Sequence, residues 1–143
     1  MTANVSVGTS PAAFDLSVET LIIGAGACGL IAALSAHEVG QNVLVIEADE
    51  VPSGSTALSA GLIPAAETKI QNVAGIHDSP ERFARDIQVK AHGENDQALV
   101  DLLAGGAAEV IDWLSETHGL PFSVVNDFDY PGHSVRRMHG LPT

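Results

Sequence analysis

The chain has few basic residues: 6 Lys and Arg stand against 18 Asp and Glu in 143 residues, a formal net charge of −12. Because an acidic surface repels other polyanions, nucleic acid and anionic membrane surfaces are not expected partners. The sequence contains no apolar run of about 18 residues, so no membrane span is expected. Its one cysteine, Cys28, cannot form an intrachain disulfide. We therefore expect a cytoplasmic protein.

A glycine-rich turn follows the first apolar run. Residues 18–23 predict a strand that leads directly into Gly24, Gly26 and Gly29, with the spacing G-x-G-x-x-G. Gly24 allows a tight strand-to-helix turn, Gly26 lets the backbone approach a pyrophosphate, and Gly29 lets the helix pack closely on the strand. Since no Lys or Arg precedes Lys69, backbone N–H groups at the helix N-terminus must bind the phosphates. The turn therefore predicts a dinucleotide site.

The segment after the turn completes a βαβ unit. A helix is predicted over 28–39, ending at Gly40, and a continuous apolar strand over 43–46. Such a strand is typical of a parallel sheet covered on both faces. Glu47 ends it about 20 residues beyond the glycines, where a carboxylate accepts hydrogen bonds from ribose hydroxyls. Two further acids follow closely and would repel a 2′-phosphate, which favours FAD or NAD over NADP.

Residues 21–47, together with 53–63, resemble the N-terminal part of the FAD-binding dehydrogenases of the succinate dehydrogenase and fumarate reductase flavoprotein family, which includes soluble fumarate reductases and 3-ketosteroid dehydrogenases. The resemblance implies an α/β, Rossmann-type fold, a parallel sheet with flanking helices, and FAD as the cofactor. In that family a Gly-Gly-x-Ser/Thr segment lies along the FAD, and a later run of small residues approaches the isoalloxazine ring. Here 54–56 match the first segment and 59–61 match the second.

The motif and the resemblance together give one set of candidate FAD-binding residues. The set is Gly24, Gly26, Ala27, Cys28, Gly29, Glu47, Ala48, Gly54, Ser55, Thr56, Ala60 and Gly61. Judged without the family, the hydroxyls of Ser55 and Thr56 have two possible roles, as helix N-caps or as donors to a phosphate oxygen, and the two roles can coexist. The tail 132–139 is similar to a His-Ser-x-x-Arg-x-His stretch of fumarate reductase-like members.

The second half of the chain predicts helices over 80–91 and 97–117 and one further strand over 122–125, the single candidate to extend the parallel sheet. Close packing against a neighbour is expected to compensate for Gly105 and Gly106 inside the second helix. The apolar stripe predicted for that helix comprises Leu99, Leu103, Ala107, Val110, Ile111 and Leu114. A solvated surface is predicted for the pair Arg136 and Arg137, and a surface loop for His133 and His139.

Three segments are expected: a flexible arm over 1–17, an FAD-binding βαβ unit over 18–64, and a helical segment with the start of a further strand over 65–143, truncated at its C-terminus. The first 20 residues have neither Lys nor Arg, and neither a secretion signal nor a transit peptide is expected. The enzymes that the chain resembles are longer, with substrate-binding and proton-donating residues in segments absent here. No catalytic residue and no metal site are therefore assigned, and no turnover is expected from this chain alone.

The resemblance implies the FAD-binding portion of a flavin-dependent oxidoreductase, with hydride transfer at a C–C or C=C bond next to a carbonyl or carboxylate. The small-molecule substrate would be an unsaturated acid or ketone, bound through the missing segments. A completing chain or an electron-transfer partner is possible, and the sequence does not identify it. Two alternatives stay open. One is an NAD-binding dehydrogenase domain, which shares the glycines and Glu47 but does not explain 54–61. The other is a non-catalytic truncated fragment.

Overall fold

Parallel pairing of two short strands organises the first part of the chain in the computed structural model, which describes residues 14–142. The chain divides into unit 1, which ends at Leu58, and unit 2, which begins at Ser59. Most of the arm predicted over 1–17 lies outside the described residues, and 14–17 form neither helix nor strand. The elements of unit 1 are β1 (Thr20–Ile23), α1 (Ala27–Glu38), β2 (Val43–Ile46) and α2 (Ser55–Leu58).

Unit 1 contains a βαβ arrangement formed by β1, α1 and β2. β1 and β2 pair in parallel, with Thr20 opposite Val43 and Ile23 opposite Ile46, as the two apolar runs require. The predicted helix is confirmed to within one residue at each end, and Gly40, with φ +83°, follows it in the left-handed conformation. Neither the strands nor α1 contain a buried side chain, and Ile23 is 81% exposed. The described residues thus leave uncovered the faces that the apolar strands were expected to bury.

Unit 2 contains a small antiparallel sheet and three helices. Its elements are β3 (Ile63–Pro64), α3 (Lys69–Val73), α4 (Pro80–Lys90), α5 (Gln97–Glu116), β4 (Ser123–Val124) and β5 (Met138–Gly140). The strand order is β3–β5–β4. The strand predicted over 122–125 exists as β4, but the expectation that it extends the parallel sheet was wrong. It pairs antiparallel with β5, with Val124 opposite His139, because β5 returns alongside it within the same unit.

Packing of α4 against α5 forms the core of unit 2. The clustered buried residues are Ala66, Phe83, Ala84, Val100 and Ala104. The predicted stripe of α5 is confirmed at Ile111 and Leu114, which are buried. It was wrong at Leu99, Leu103 and Val110, which are 66%, 52% and 39% exposed. The buried face of α5 differs from the predicted stripe because Val100 and Ala104, which lie one turn apart, are the residues that face α4. A Cβ placed at Gly105 or Gly106 meets no atom within 4 Å, so the close packing expected there was also wrong.

Side chains cap the N-termini of α4 and α5. Ser79 accepts a hydrogen bond from the Arg82 N–H at 3.2 Å, with Pro80 in the first turn of α4. Asp96 accepts one from the Ala98 N–H at 2.8 Å at the start of α5. Within residues 14–142, no helix combines the length and the apolar character needed to cross a membrane.

Candidate cofactor-binding site

Glu47 directly follows β2, and its carboxylate is hydrogen-bonded to the backbone of the glycine turn. Its Oε2 accepts a hydrogen bond from the Ala25 N–H at 2.7 Å, and its Oε1 accepts from Ala48 N at 2.7 Å and from Asp49 N at 3.4 Å. The bond from Ala25, followed by those from Ala48 and Asp49, lowers the pKa of Glu47 below its usual value. An ionised carboxylate, able only to accept hydrogen bonds, is therefore held beside the turn.

The glycines of the turn fit their predicted structural roles. Gly24 has φ +106°, a conformation that favours glycine, and donates its N–H to the Ile46 carbonyl at 2.7 Å. A Cβ at Gly29 would lie 2.0 Å from the Gly24 carbonyl oxygen and 3.2 Å from Ile22 Cγ2. The first turn of α1 is consequently packed directly against the end of β1.

The N-terminus of α1 has glycine as its N-cap, and Gly26 supplies no capping side chain. Thr56, in α2, accepts the Ala27 N–H through Oγ1 at 3.0 Å. Of the two roles predicted for this hydroxyl, the capping role is thus present, although the helix it caps is α1, whose Ala27 lies 29 residues earlier in the chain. Sequence reasoning placed the cap on the local helix because its partner is distant in sequence.

Unit 1 has a cavity of about 260 Å³ between the glycine turn and the segment before α2. It is lined by Ala25, Gly26, Leu30, Glu47, Asp49, Pro52, Ser53, Gly54, Thr56 and Ala57. Four of the twelve predicted site residues are among them, namely Gly26, Glu47, Gly54 and Thr56. Sequence reasoning missed Asp49 and Ser53, which are hydrogen-bonded to each other through their side chains. The sequence signal that could have identified them is their spacing, since two polar residues four positions apart follow β2.

The remaining predicted residues fall in different places. Ala27, Cys28 and Gly29 form the first turn of α1, and Ala48 follows Glu47. Ala60 and Gly61 belong to unit 2, where they border a cavity of about 960 Å³. Leu62, residues 123–128 and residues 140–142 also line that cavity.

Unit 2 buries an arginine that the sequence predicted to be exposed. The side chain of Arg137 is 0% exposed, so the expectation of a solvated pair was wrong for it. Asp78 accepts from Arg137 Nε at 2.8 Å and from Nη2 at 3.0 Å, and Asp86 accepts from Nη1 at 2.7 Å. The neighbouring Arg136 is partly exposed and pairs with Asp129 at 2.8 Å. Arg137 is neutralised by partners 51 and 59 residues away, which is why the local sequence carried no signal for its burial.

His139 is also buried, so the prediction of a surface loop was wrong for this residue. Its Nδ1 lies 3.0 Å from the Arg137 carbonyl oxygen, which can only accept, so Nδ1 carries the hydrogen and donates it. Nε2 then accepts from the Thr68 hydroxyl at 2.9 Å. Burial lowers the pKa of His139 below 6.5, which keeps the ring neutral. Burial, followed by the charge of Arg137, also lowers the pKa of His133, which is half-buried.

Comparisons with known proteins agree with this geometry. A model of the FAD binding domain matches residues 19–140. Urocanate reductase of Eggerthella lenta is 33% identical over 132 residues, 92% of this chain and 22% of that protein. The open conformation of a flavocytochrome c3 fumarate reductase matches with a TM-score of 0.72 and 31% identity, over 87% of this chain and 22% of its own.

A further solved structure is the 3-ketosteroid-delta4-(5alpha)-dehydrogenase of Rhodococcus jostii in complex with 4-androstene-3,17-dione. It matches with a TM-score of 0.67 and 28% identity, over 78% of this chain and 23% of its own. The chain therefore spans between 22% and 23% of the length of these relatives.

Proposed function

We propose, because this chain belongs to the FAD binding domain family of fumarate reductase-like flavoproteins, that it is the FAD-binding portion of a larger flavin-dependent oxidoreductase. The observation that carries the proposal is the Glu47 carboxylate held at 2.7 Å from the Ala25 N–H of the glycine turn. The contact supports the proposal because a carboxylate, an acceptor suited to ribose hydroxyls, lies next to a helix N-terminus that suits a pyrophosphate. Unit 1 would thus supply both parts of a dinucleotide site.

The donor set of unit 1 fits FAD. Cys28 and Gly29, in the first turn of α1, would hold the pyrophosphate through backbone N–H groups, because the first turn of a helix has N–H groups without intrahelical acceptors. The Ala27 N–H already donates to Thr56 Oγ1, so Gly26 and Ala27 would border the phosphates. Glu47 would accept from the ribose hydroxyls, and Gly54 and Thr56 border the same cavity. A Cβ at Gly26 would lie 3.6 Å from Thr56 Oγ1, an ordinary van der Waals distance, so the protein itself does not exclude a side chain at this position.

The other candidate residues are proposed on the same grounds. Gly24 and Gly29 shape the turn, and Cys28 lies in the first turn of α1. Ala48 and Ser55 are next in sequence to residues that line the cavity. In unit 2, the proposed neighbours of the isoalloxazine ring are Ala60 and Gly61. The proposed organisation remains an arm over 1–17, an FAD-binding βαβ unit over 18–64 and a helical segment over 65–143.

The proposed reaction is hydride transfer at a C–C or C=C bond next to a carbonyl or carboxylate. Bound FAD would supply the centre that accepts or donates the hydride. Support comes from the relatives, one named for urocanate reduction, one for fumarate reduction and one solved with a ketosteroid. We therefore propose an unsaturated acid or ketone as the substrate, bound with the help of chain segments other than 1–143, and a cytoplasmic location in keeping with the single cysteine.

A flavin-retention experiment tests the proposal. The purified chain is incubated with FAD, freed of excess nucleotide and examined by visible absorption, with NAD as a parallel ligand. We expect about one FAD retained per chain, weak binding of NAD, and no turnover of fumarate or of a cyclic enone. Retention of NAD in preference to FAD would favour the NAD-binding alternative, and a chain without cooperative thermal unfolding would favour the truncated-fragment alternative.

Glu47→Gln is the matched variant for that experiment. The amide keeps the size of the side chain but loses the negative charge, so it accepts hydrogen bonds from hydroxyls and from the Ala25 N–H more weakly. We expect FAD affinity to fall several-fold. Glu50→Gln, at an exposed acid three residues later, removes the same charge and is the control. An equal loss in both variants would mean that general charge, and not the Glu47 contact, governs binding.

A further inference from the structure

Within residues 14–142, the guanidinium of Arg137 has its partners inside unit 2. It forms a two-point contact with Asp78 and a third bond with Asp86, and it lies 4.7 Å from the centroid of the Phe83 ring. The side chain of Asp78 is 0% exposed and that of Asp86 is 14% exposed. Burying an unpaired guanidinium is costly, so this position tolerates little movement of either carboxylate. The contact therefore fixes Arg137, which directly precedes β5, against the loop before α4 that holds Asp78 and against α4, which holds Asp86.

Asp86 is the shared acceptor of the cluster. The same oxygen, Oδ2, accepts from Arg137 Nη1 at 2.7 Å and from Ser134 N and Oγ, each at 2.8 Å. Burial opposes ionisation, but the bonds from Ser134 and Arg137 prevail and hold the pKa of Asp86 below its usual value. Asp86 is thus anionic at neutral pH, and α4 is joined to the segment that leads into β5 by charge-assisted bonds.

The main chain of Arg137 is hydrogen-bonded to the residue that follows β3. Its carbonyl oxygen accepts the Ala65 N–H at 3.0 Å, and β5 pairs with β3 through Ile63 opposite His139. A Cβ at Gly140 would lie 2.8 Å from Leu62 Cδ2, so β5 also touches the residue after Gly61. Displacement of β5 would therefore displace the backbone that borders the cavity of about 960 Å³.

From these contacts we propose that Arg137 is a positioning residue: held by Asp78 and Asp86, it fixes β5 and β3 and thereby the backbone around Gly61. The inference rests on the proposed function in one respect, namely that Gly61 lies beside the flavin ring. A hydrophobic side chain of similar volume would fill the space as well, but only the planar guanidinium binds both carboxylates in a fixed orientation.

Amide hydrogen exchange in the chain without FAD tests the positioning directly. In Arg137→Lys the charge is kept but the two-point contact is lost, and we expect exchange at the Ala65 amide to accelerate by about tenfold or more. Exchange at Ile111, buried in α5, is expected to stay unchanged. Arg136→Lys, at the partly exposed neighbour, is the matched control and is expected to leave both amides as they are.

Asp86→Asn is the second variant and decides the matter if Arg137→Lys does not fold. It weakens the hold on Arg137 with an isosteric side chain, and selective acceleration at Ala65 is again expected. Equal acceleration at Ala65 and Ile111 would mean that Arg137 only stabilises unit 2 as a whole, and would overturn the proposal. No acceleration, or uniformly fast exchange in the parent chain, would overturn it as well.

The visible circular dichroism of added FAD gives a separate reading. We expect the signal of the parent chain to change in Arg137→Lys and in Asp86→Asn but not in Arg136→Lys. A parent chain that gives no flavin signal would contradict the proposed function, while the exchange rates, measured without FAD, would still support or overturn the positioning. An unchanged flavin signal in variants with selective exchange would overturn the connection between Arg137 and the flavin.

Discussion

Gly29 lies where β1 and α1 approach most closely. A Cβ there would come within 2.0 Å of the Gly24 carbonyl oxygen, a backbone atom that cannot rotate away. The contact therefore excludes every side chain, including the smallest. It follows that the third glycine of the motif is required by the geometry of the turn even when no nucleotide is bound.

Gly29→Ala is expected to destabilise unit 1 and abolish FAD retention. Separating the helix from the strand costs about 1–3 kcal/mol, as overpacking generally does. Flavin retention and chemical denaturation measure the two effects. A variant that retains FAD like the parent chain would show that α1 can move away from the strand without disturbing the site.

Thr56 contributes to the same turn from a distant part of unit 1. Thr56→Val removes the oxygen that accepts the Ala27 N–H while keeping the branched shape. We expect a loss of about 1 kcal/mol in the free energy of unfolding, the usual value for an N-cap. Thr56→Ser retains the oxygen and is the control. Equal stability of the two variants in urea would show that the bond contributes nothing.

At this scale the sequence predicted the structural roles of Gly24 and Gly29 but not the burial of Arg137 and His139. The spacing of Gly24, Gly29 and Glu47 is a local pattern, because all three belong to one βαβ unit. Arg137 and His139 depend on partners far away in sequence, such as Asp78 and Thr68, and no local pattern distinguishes a buried arginine from an exposed one.

Among the elements, α5 shows why hydrophobic periodicity was insufficient. Apolar residues occupy nearly every side of its first half, so several stripes fit the sequence equally well. The structure buries Val100 and Ala104 and leaves Leu102 74% exposed, since α4 contacts only one of those faces. The bounds of helices could be predicted because caps such as Asp96 are local, whereas the buried face could not.

Gly105→Ala is expected to stabilise α5. Because a Cβ there meets no atom within 4 Å, the substitution gains helix propensity of up to about 1 kcal/mol without a clash. Gly119→Ala is the opposite control, since Gly119 has φ +68° and follows the helix in a conformation that disfavours alanine. Urea unfolding measures both, and destabilisation by Gly105→Ala would reveal packing against that surface in solution.

Over the described chain as a whole, stability is expected to fall as the pH is lowered below about 6.5. Burial lowers the pKa of His139 and of His133 in the folded state, so the unfolded chain binds protons more readily. Their contribution is complete above the usual histidine value of 6.5 and is lost as the pH falls below it. Asp86, whose pKa is also lowered, adds a further loss in more acidic solution.

Thermal unfolding between about pH 7.5 and about pH 5.5 measures this dependence, because these limits lie about one unit on either side of the usual histidine pKa of 6.5. His139→Asn keeps a donor near the Arg137 carbonyl and is expected to flatten the profile. His77→Gln, at an exposed site of unit 2, is the control and is expected to leave it unchanged. A profile in His139→Asn as steep as that of the parent chain would contradict the role of His139.

Because the proposed phosphate site consists of backbone groups, it determines how FAD affinity depends on ionic strength. The N-terminus of α1 offers peptide N–H groups, and no Lys or Arg occurs before Lys69, in a chain of net charge −12. Added salt then screens mainly the repulsion between an acidic protein and an anionic nucleotide, with a screening length that shortens to about 8 Å at physiological concentration. FAD affinity should therefore hold steady or rise with added salt, unlike that of a site built from ion pairs.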